Sequence, residues 1–298
     1  MLINLFIKYM RYELNRSAHT VLSYNNDIRQ FEAFLSHGSN GFDPKSVEAN
    51  DVRAWMMHLS KNGVDPRSIR RKVQALRAFF KFLIKRGGVK VNPAEDIEMA
   101  RMKKNLPSYM RQNIMDELLS APVEKDDFES VRNRLIILML YSTGIRRSEL
   151  ISLKDADVDT DSCELTVLGK RNKYRIVPFG QELKNEISCY RSLRNDVSGI
   201  NPYNFFVRIG GEPLYPSLVY NIVHTQLASV GAADKMSPHV LRHTFASVML
   251  NSGAELNSVK EILGHESLAA TQIYTHITFS ELKKNYKLAH PRAIKKGG

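Results

Sequence analysis

Residues 237–243 read Ser-Pro-His-Val-Leu-Arg-His, residues 263–265 read Leu-Gly-His, and residues 271–276 read Thr-Gln-Ile-Tyr-Thr-His. A proline directly after a serine predicts the first turn of a helix, from which His239 and Arg242 project on one face. A guanidinium stays charged and matches two phosphate oxygens, and an imidazole can transfer a proton. With Tyr274 as the attacking hydroxyl, these residues suit the breaking and rejoining of a phosphodiester.

A tyrosine needs help to act as a nucleophile. Its reference pKa of about 10 leaves ~0.1% ionised at pH 7, so ionisation there needs about 4 kcal/mol of local stabilisation. Neighbouring arginines and histidines can supply that stabilisation. A His-x-x-Arg pair alone is more often a surface arginine beside a hydrogen-bonded core histidine, so the interpretation depends on the other motifs.

The net charge is +12 and the isoelectric point is about 9.6, which indicates a polyanionic partner. Residues 1–107 hold 19 Lys and Arg against 10 Asp and Glu, a net of +9, which leaves 24 against 21, or +3, for the rest. A solubilising charge would be spread evenly, so this asymmetry favours a binding surface in the first third.

Residues 67–86 contain eight basic residues and no acidic one, interleaved with apolar residues at helical spacing. One face of this helix is predicted to pack and the other to be cationic. The alternative is a solvated charged face, but uncompensated cations repel one another, which favours phosphate contact. The residues predicted to contact DNA here are Arg67, Arg70, Arg71, Lys72 and Arg77.

Several classes of protein are disfavoured by what the sequence lacks. It has no apolar run of about eighteen residues and no signal-peptide cleavage site, so we expect no membrane span and a cytoplasmic protein. Cys163 and Cys189 have no C-x-x-C spacing. His239 and His243 lack the Glu of H-E-x-x-H, and the cation Arg242 lies between them, so we expect no metal. No nucleotide-binding G-x-x-x-x-G-K-[ST] motif is present, and we expect no cofactor.

The first part of the chain is predicted to be entirely helical. Ser17 is expected to cap a helix with apolar residues from Val21 to Leu35, and Asp51 to cap another that runs to Leu59. The basic stretch Met99–Pro107 lacks periodicity and ends in proline, as a linker does. We therefore predict a helical domain over residues 1–104 and a second domain over residues 105–298.

The second domain is predicted to combine helices with one hairpin. Residues 164–168 and 174–178 have strand character on either side of a basic turn, Gly-Lys-Arg-Asn-Lys. Helices are predicted around residues 181–194, 217–230, 238–252 and 255–263. The expected fold class is mainly α with a small β-sheet.

Five motifs in this order resemble the tyrosine recombinase, or phage integrase, family, and within it the Xer-like site-specific recombinases. Two of them are Thr-Gly-Ile-Arg-Arg-Ser-Glu-Leu at residues 143–150 and Leu-Gly-Lys-Arg-Asn-Lys-Tyr-Arg at residues 168–175, and the other three are the stretches quoted above. Residues 17–24 and the basic helix resemble that family's helical core-binding domain. The resemblance therefore spans nearly the whole chain and implies a core-binding domain followed by a mixed α/β catalytic domain.

The resemblance implies a set of catalytic roles. Tyr274 would be the nucleophile, and Arg146 and Arg242 would hold the non-bridging oxygens of the scissile phosphate. Lys170, on the hairpin turn, would protonate the departing 5′-hydroxyl. The phosphorane gathers negative charge on its equatorial oxygens, and preorganised cations aimed there typically contribute about 10²–10³ in rate per contact.

Supporting roles follow from the same resemblance. His239 would transfer protons as a base or an acid, and His265 would hydrogen-bond the phosphate. Glu149, three residues after Arg146 on the same helical face, is predicted to orient that arginine. The alternative for Glu149 is an exposed charge within the helix.

Two departures from the family pattern bear on the site. The usual Gly-Lys-Gly turn reads Gly169-Lys170-Arg171 here, which makes the tip stiffer and more cationic. Arg147 replaces a commoner small apolar residue, and Arg146 is preferred as the catalytic arginine because it alone aligns with Thr-Gly-Ile-Arg. The other cations of the hairpin are predicted to contact DNA backbone phosphates, and they are Arg171, Lys173 and Arg175.

The leading functional hypothesis is a site-specific recombinase that acts through a 3′-phosphotyrosyl intermediate. A type IB-like topoisomerase and a DNA-binding architectural protein are the alternatives. The expected partners are double-stranded DNA and either further copies, in a tetramer on two duplexes, or a related recombinase subunit. Phe279, Leu282 and Tyr286 lie at helical spacing, and by resemblance this tail docks on a neighbouring protomer; the alternative is packing on its own domain.

Overall fold

The computed structural model shows a mainly helical protein with one small antiparallel sheet among the residues it describes. This confirms the predicted fold class. By the packing of its Cα atoms the chain divides into two compact units, residues 1–105 and 106–298. No helix in the described part of the chain is long and apolar enough to cross a bilayer. The described residues are 2–36, 42–99, 110–124, 126–169, 173–197, 203–231, 236–264, 286 and 289–292.

The first unit is built from helices. Its apolar core includes the large aromatic side chains of Phe31, Trp55, Phe79 and Phe80, all fully buried. Helix α1 continues into a π-helical turn at Tyr9–Glu13. The helices are α1 Leu2–Lys8, α2 Ala18–Ser36, α3 Ala49–Lys61 and α4 Pro66–Lys85.

Two predicted helix starts have different outcomes. The Ser17 hydroxyl accepts a hydrogen bond from the backbone N–H of Thr20 at 3.3 Å, as expected of a cap before α2. The prediction that Asp51 caps α3 is wrong, since that helix begins at Ala49 and its capping residue is Glu48. The Asp51 carboxylate lies in the first turn and accepts from the backbone N–H of Glu48 at 2.8 Å, so it satisfies the helix terminus from inside.

The basic helix α4 uses part of its charge inside the protein. Lys72 is buried, and its ammonium donates to Asp27 Oδ1 of α2 at 3.0 Å. The Arg77 guanidinium donates to the backbone carbonyls of Ala94 and Ile97 at 2.7 and 2.8 Å. The expectation of an uncompensated cationic face is therefore corrected, because these two side chains stabilise the fold of the first unit.

The second unit is arranged around α6, which is buried along most of its length because it packs against α8 on one side and α10 on another. The four helices predicted from the sequence in this unit are confirmed as α8 to α11. The helices are α5 Gln112–Ser120, α6 Phe128–Thr143, α7 Arg147–Ile151, α8 Gln181–Asn195, α9 Pro216–Ser229, α10 Pro238–Asn251 and α11 Leu256–Leu263.

The sheet has three strands in the order β1-β2-β3, namely β1 Val158–Asp159, β2 Glu164–Leu168 and β3 Tyr174–Pro178. The last two confirm the predicted hairpin and its bounds. In their antiparallel register Leu165 pairs with Val177, and Val167 pairs with Arg175. Leu165, Val167 and Val177 are buried, so one face of the hairpin is covered by the rest of the unit.

The described part of the C-terminal tail packs on its own unit. Tyr286, Ala289 and His290 are buried and belong to the second unit's interior, and the rings of Tyr286 and His290 stack with centroids 5.2 Å apart. Tyr286 therefore follows the alternative of packing on its own domain, and docking of the tail on a neighbouring protomer stays a prediction. Phe279 and Leu282 lie outside the described residues.

The end of α6 gives a stability prediction. Gly144 has a left-handed φ of +64°, and a Cβ there would lie 2.5 Å from Phe245 Cδ1 and 2.8 Å from Leu263 Cδ2. We expect Gly144→Ala to lower the free energy of unfolding by about 2–5 kcal/mol, since a left-handed alanine costs about 1–2 kcal/mol and overpacking about 1–3 kcal/mol more. Urea unfolding followed by circular dichroism measures the change.

Gly253→Ala is the matched control for this substitution. Gly253 also has a left-handed φ, +85°, but no atom lies within 4 Å of a Cβ built there. Only the backbone term of about 1–2 kcal/mol is then expected. Equal losses in the two variants would contradict the close packing around Gly144.

Candidate active site

The site begins where α6 ends. Gly144 turns the chain in the left-handed conformation, and Arg146 is the residue that caps α7. Glu149, in the first turn of α7, accepts the backbone N–H of Arg146 on Oε2 and its guanidinium Nη1 on Oε1, both at 2.7 Å. Glu149 is therefore placed to orient Arg146, which is the role that its spacing predicts.

A second arginine reaches the same carboxylate from the hairpin. Arg175 on β3 donates Nη1 to Glu149 Oε1 at 2.9 Å and Nη2 to Oε2 at 2.8 Å, a bidentate pair. Both side chains are largely removed from solvent, at 11% and 5% relative exposure. Arg175 was predicted to contact a DNA phosphate, and the structure gives it these internal partners instead.

The third arginine is Arg242, on α10. It is buried, and its guanidinium donates Nη1 to the carbonyl of Gly144 at 2.6 Å and Nη2 to the carbonyl of Leu263 at 2.5 Å. These are carbonyls at the C-terminal ends of α6 and α11, where the backbone has no further helical partners. A cation there also meets the negative end of each helix dipole.

Three successive carbonyls at the end of α11 each accept a hydrogen bond from a different arginine. Arg175 Nε donates to Ile262 at 2.7 Å, Arg242 donates to Leu263, and Arg146 Nη2 donates to Gly264 at 3.1 Å. We call Arg146, Arg175 and Arg242 the arginine cluster. Its members come from three separate elements and converge on one carboxylate and one helix end.

Charge in the arginine cluster is unbalanced. Three guanidinium groups and the single Glu149 carboxylate sum to +2. Burial and then the charge of Arg146 lower the pKa of Arg242 to about 10, so it remains protonated at neutral pH. A partly desolvated site with a net positive charge is stabilised by binding an anion.

Glu149 is ionised under all ordinary conditions. Burial raises its pKa, but hydrogen bonds from Arg175 and from the backbone and side chain of Arg146 outweigh that effect and lower the pKa to about 2. The carboxylate is therefore a fixed negative charge that holds two of the three cations in place.

His239 lies at the start of α10 and is exposed. Partial desolvation lowers its pKa, and electrostatic interactions with Arg147, His243, Arg242 and Arg146 lower it further. The imidazole is therefore neutral at pH 7, as a proton acceptor must be. The effect of Arg146 and Arg242 on this pKa indicates that His239 lies near both arginines predicted to hold the phosphate.

Arg147 occupies a different position from its neighbour Arg146. Its Nη1 donates to the backbone carbonyl of Pro216 at 3.2 Å. The hydrogen bonds to Glu149 and to the end of α11 come from Arg146. The geometry therefore agrees with the choice of Arg146 over Arg147 made from the sequence.

Four predicted site residues lie outside the described residues: Lys170, Arg171, His265 and Tyr274. Their catalytic and DNA-binding roles stay predictions. Two described glycines lie directly before two of these residues: Gly169 precedes Lys170, and Gly264 precedes His265. Both glycines border the arginine cluster, because a Cβ on either would lie within 4 Å of Arg175.

One signal in the sequence pointed to the inward position of Arg175. Side chains two apart on a strand share a face, so Arg175 lies on the face of Val177, and its partner across the hairpin is Val167. Both valines are buried. An arginine on a buried face needs a carboxylate or carbonyl partner, and that requirement predicts an internal ion pair.

Three arginines held by a buried carboxylate and a helix end form a site with net positive charge, and comparisons with known proteins identify the family. The sequence profile of the phage integrase family matches residues 108–281, and that of the phage integrase N-terminal SAM-like domain matches residues 3–87. A Chlorobaculum parvum protein named tyrosine recombinase XerC is 36% identical over 314 aligned residues, covering 97% of this chain and 94% of that protein. The chain therefore belongs to the phage integrase family of tyrosine recombinases, which confirms the resemblance.

Two further relatives agree. A Staphylococcus carnosus protein, also named tyrosine recombinase XerC, is 36% identical over 290 residues, covering 97% of each chain. The solved structure of XerH site-specific recombinase bound to palindromic difH substrate, a post-cleavage complex, matches with a TM-score of 0.70 at 20% identity. That match covers 96% of this chain and 83% of the XerH chain, and it shows likeness of fold.

The lowered pKa of Glu149 predicts a pH-dependent stability. Since this pKa falls from 4.5 to about 2 on folding, ionised Glu149 stabilises the protein above pH 4.5, and the contribution is lost as the pH falls through 2. We expect Glu149→Gln to lower the free energy of unfolding by about 3 kcal/mol at pH 7. In chemical unfolding, the free energies of unfolding of Glu149→Gln and wild type should approach each other as the pH falls from about 5 to about 2.

Glu212→Gln provides the control. Its carboxylate pairs with Arg208 at 3.6 Å, with both side chains well exposed. A change below about 1 kcal/mol at every pH is expected for such a pair. A gap between Glu149→Gln and wild type that stays constant down to the folded-state pKa would contradict the ion-paired state of Glu149.

Proposed function

We propose that this enzyme is a site-specific DNA recombinase that cleaves and rejoins strands through a 3′-phosphotyrosyl intermediate. The observation that supports this most directly is the uncompensated charge of +2 in the arginine cluster, at the end of α11, the helix that precedes Tyr274 in the sequence. Arg146 and Arg242 would contact the two non-bridging oxygens of the scissile phosphate. Being fixed before DNA binds, they need no reorganisation as charge develops.

The cleavage step conserves bonds and protons. The Tyr274 hydroxyl attacks phosphorus, its proton passes to neutral His239, and a new phosphorus–oxygen bond forms to the phenol. The bond from phosphorus to the 5′-oxygen breaks, and that oxygen takes a proton from Lys170. His265 would hydrogen-bond the phosphate throughout. Religation runs the same steps in reverse with a 5′-hydroxyl as the nucleophile.

This chemistry needs no external energy source. One phosphodiester is exchanged for one phosphotyrosyl ester of similar energy, so the energy needed for rejoining is retained in the covalent intermediate. A hydrolytic nuclease, by contrast, would lose it to water. The reaction therefore needs no nucleotide triphosphate for the joining step.

Double-stranded DNA is the proposed partner. The XerH structure that matches this fold is bound to its difH substrate, which supports a DNA-binding role for the same architecture. In the first unit, Arg67 and Arg70 are exposed near the start of α4, and Arg71 is exposed while pairing with Asp27. A row of cations on one helix face suits phosphate contact without base readout.

The two units have separate proposed tasks. Residues 1–104 would form the core-binding domain, and residues 105–298 the catalytic domain, whose exposed Lys173 and neighbouring Arg171 contact the DNA backbone beside the cleavage point. Exchange between two duplexes requires four active sites, so we propose a tetramer on DNA, made from copies of this chain or with a related recombinase subunit. The reaction would take place in the cytoplasm.

Covalent attachment tests the proposal. We expect wild-type protein incubated with random genomic fragments to form adducts on DNA 3′ ends, recovered by denaturing capture and sequencing of the attached ends. Tyr274→Phe should abolish these adducts, because phenylalanine has no hydroxyl to attack phosphorus. Tyr220→Phe, on α9 of the same unit, should leave them unchanged.

Other outcomes would contradict the proposal in distinct ways. Cleaved DNA with no attached protein would indicate hydrolysis, and DNA binding with neither cleavage nor adduct would indicate an architectural protein. A duplex carrying the mapped cleavage sequence then separates the remaining classes. Exchange of strands between two labelled duplexes is expected, whereas relaxation of supercoils without exchange would indicate a topoisomerase of type IB.

A further inference from the structure

The side chain of Arg175 bonds to protein atoms within the site rather than extending into solvent. Each of its three nitrogen atoms donates to a protein atom: Nη1 and Nη2 bind the two oxygens of Glu149, and Nε binds the carbonyl of Ile262 at 2.7 Å. With the side chain 11% exposed, little of it remains for a DNA phosphate. The planar guanidinium is therefore held by one carboxylate and one helix end.

The guanidinium also fills the space left by two glycines. A Cβ on Gly264 would lie 3.3 Å from Arg175 Cδ and Nη1, and a Cβ on Gly169 would lie 3.5 Å from Nη1. Gly169 is the residue before Lys170, and Gly264 is the residue before His265. Arg175 therefore touches the chain next to two predicted catalytic residues that belong to separate segments.

Through Glu149, Arg175 acts on a third catalytic residue. The Glu149 oxygen Oε1 that accepts from Arg175 Nη1 also accepts from Arg146 Nη1, at 2.7 Å. If Arg175 were absent, the carboxylate would keep only its two hydrogen bonds from Arg146 and would no longer be tied to the hairpin. A displacement of about 1 Å at a reacting group costs about 10²-fold in rate.

We propose that Arg175 is a positioning residue that fixes Arg146, through Glu149, and the segments leading to Lys170 and His265 in one geometry. This inference rests on the proposed function, since it assigns a role within that reaction. It replaces the DNA contact predicted for Arg175 from the sequence. Arg175 touches no DNA and sets the rate of cleavage rather than the affinity for DNA.

The test separates cleavage from binding. We expect Arg175→Met to lower the single-turnover rate of adduct formation by about 10²-fold on a duplex with the mapped cleavage sequence. Its DNA affinity should show the wild-type dependence on salt. Lys173→Ala should instead reduce the slope of log affinity against log salt by about 0.9, the value for one lost phosphate contact. Arg175→Lys keeps the charge but not the fork, so an intermediate rate is expected.

Arg194→Met controls for loss of a buried arginine. Arg194 makes the same kind of two-pronged pair with Asp155, at 3.0 and 3.2 Å, away from the arginine cluster. We expect it to lose stability while the cleavage rate per folded molecule stays at the wild-type value. Rates are compared at a temperature where each variant is folded by circular dichroism.

The double variant Glu149→Gln/Arg175→Met separates positioning from folding. Glu149→Gln removes the carboxylate that Arg175→Met leaves with one partner fewer, but it also removes the charged partner of Arg146, so the free energy of unfolding is measured beside the cleavage rate. Cleavage should stay about 10²-fold low, because Arg146 has lost its charged support. Recovery of cleavage together with stability would overturn the proposal, as would a salt slope lowered by about 0.9 in Arg175→Met.

The adduct assay distinguishes failure of the proposed function from failure of the positioning role of Arg175. Wild-type protein that forms no Tyr274-dependent adduct contradicts the proposed function and the role of Arg175 with it. Wild-type adducts together with a wild-type rate in Arg175→Met leave the function intact and contradict only the positioning role.

Discussion

The carboxylate of Glu149 is the interaction on which the catalytic unit depends. It accepts hydrogen bonds from the backbone and guanidinium of Arg146 and from both terminal nitrogens of Arg175. Its side chain is only 5% exposed. Burying an unpaired charge is costly, so neither side of this arrangement is stable alone. The single carboxylate therefore fixes a helix terminus, a hairpin and Arg146, the arginine predicted to hold the phosphate, together.

The helix end that faces this carboxylate explains how so much positive charge can be held in one place. The carbonyls of Ile262, Leu263 and Gly264 each bind one arginine, and the carbonyl of Gly144 binds Arg242 again. These dipoles partly offset the repulsion among the cations before any anion arrives. The remaining positive charge is then available to a phosphate, and its position is set by hydrogen bonds to backbone carbonyls.

Much of this arrangement is readable from the sequence, because it follows from local patterns. Period-two alternation gave the hairpin bounds, and three-residue spacing gave the relation of Glu149 to Arg146. Two-residue spacing from Val177 puts Arg175 on the buried face of β3, but that spacing does not identify its partner Glu149, which lies on another element. Lys72 was misread for the same reason, since its partner Asp27 lies on another helix. Pairing across elements depends on tertiary packing, which one-dimensional spacing does not encode.

The central claim is that Glu149 holds the arginines ready for a phosphate, and a crystal structure of Tyr274→Phe bound to its DNA site tests it most directly. The scissile phosphate should lie within hydrogen-bond distance of Arg146 and Arg242, with Glu149 still bridging Arg146 and Arg175. A phosphate bound elsewhere, or a Glu149 side chain turned toward solvent in that complex, would contradict the account.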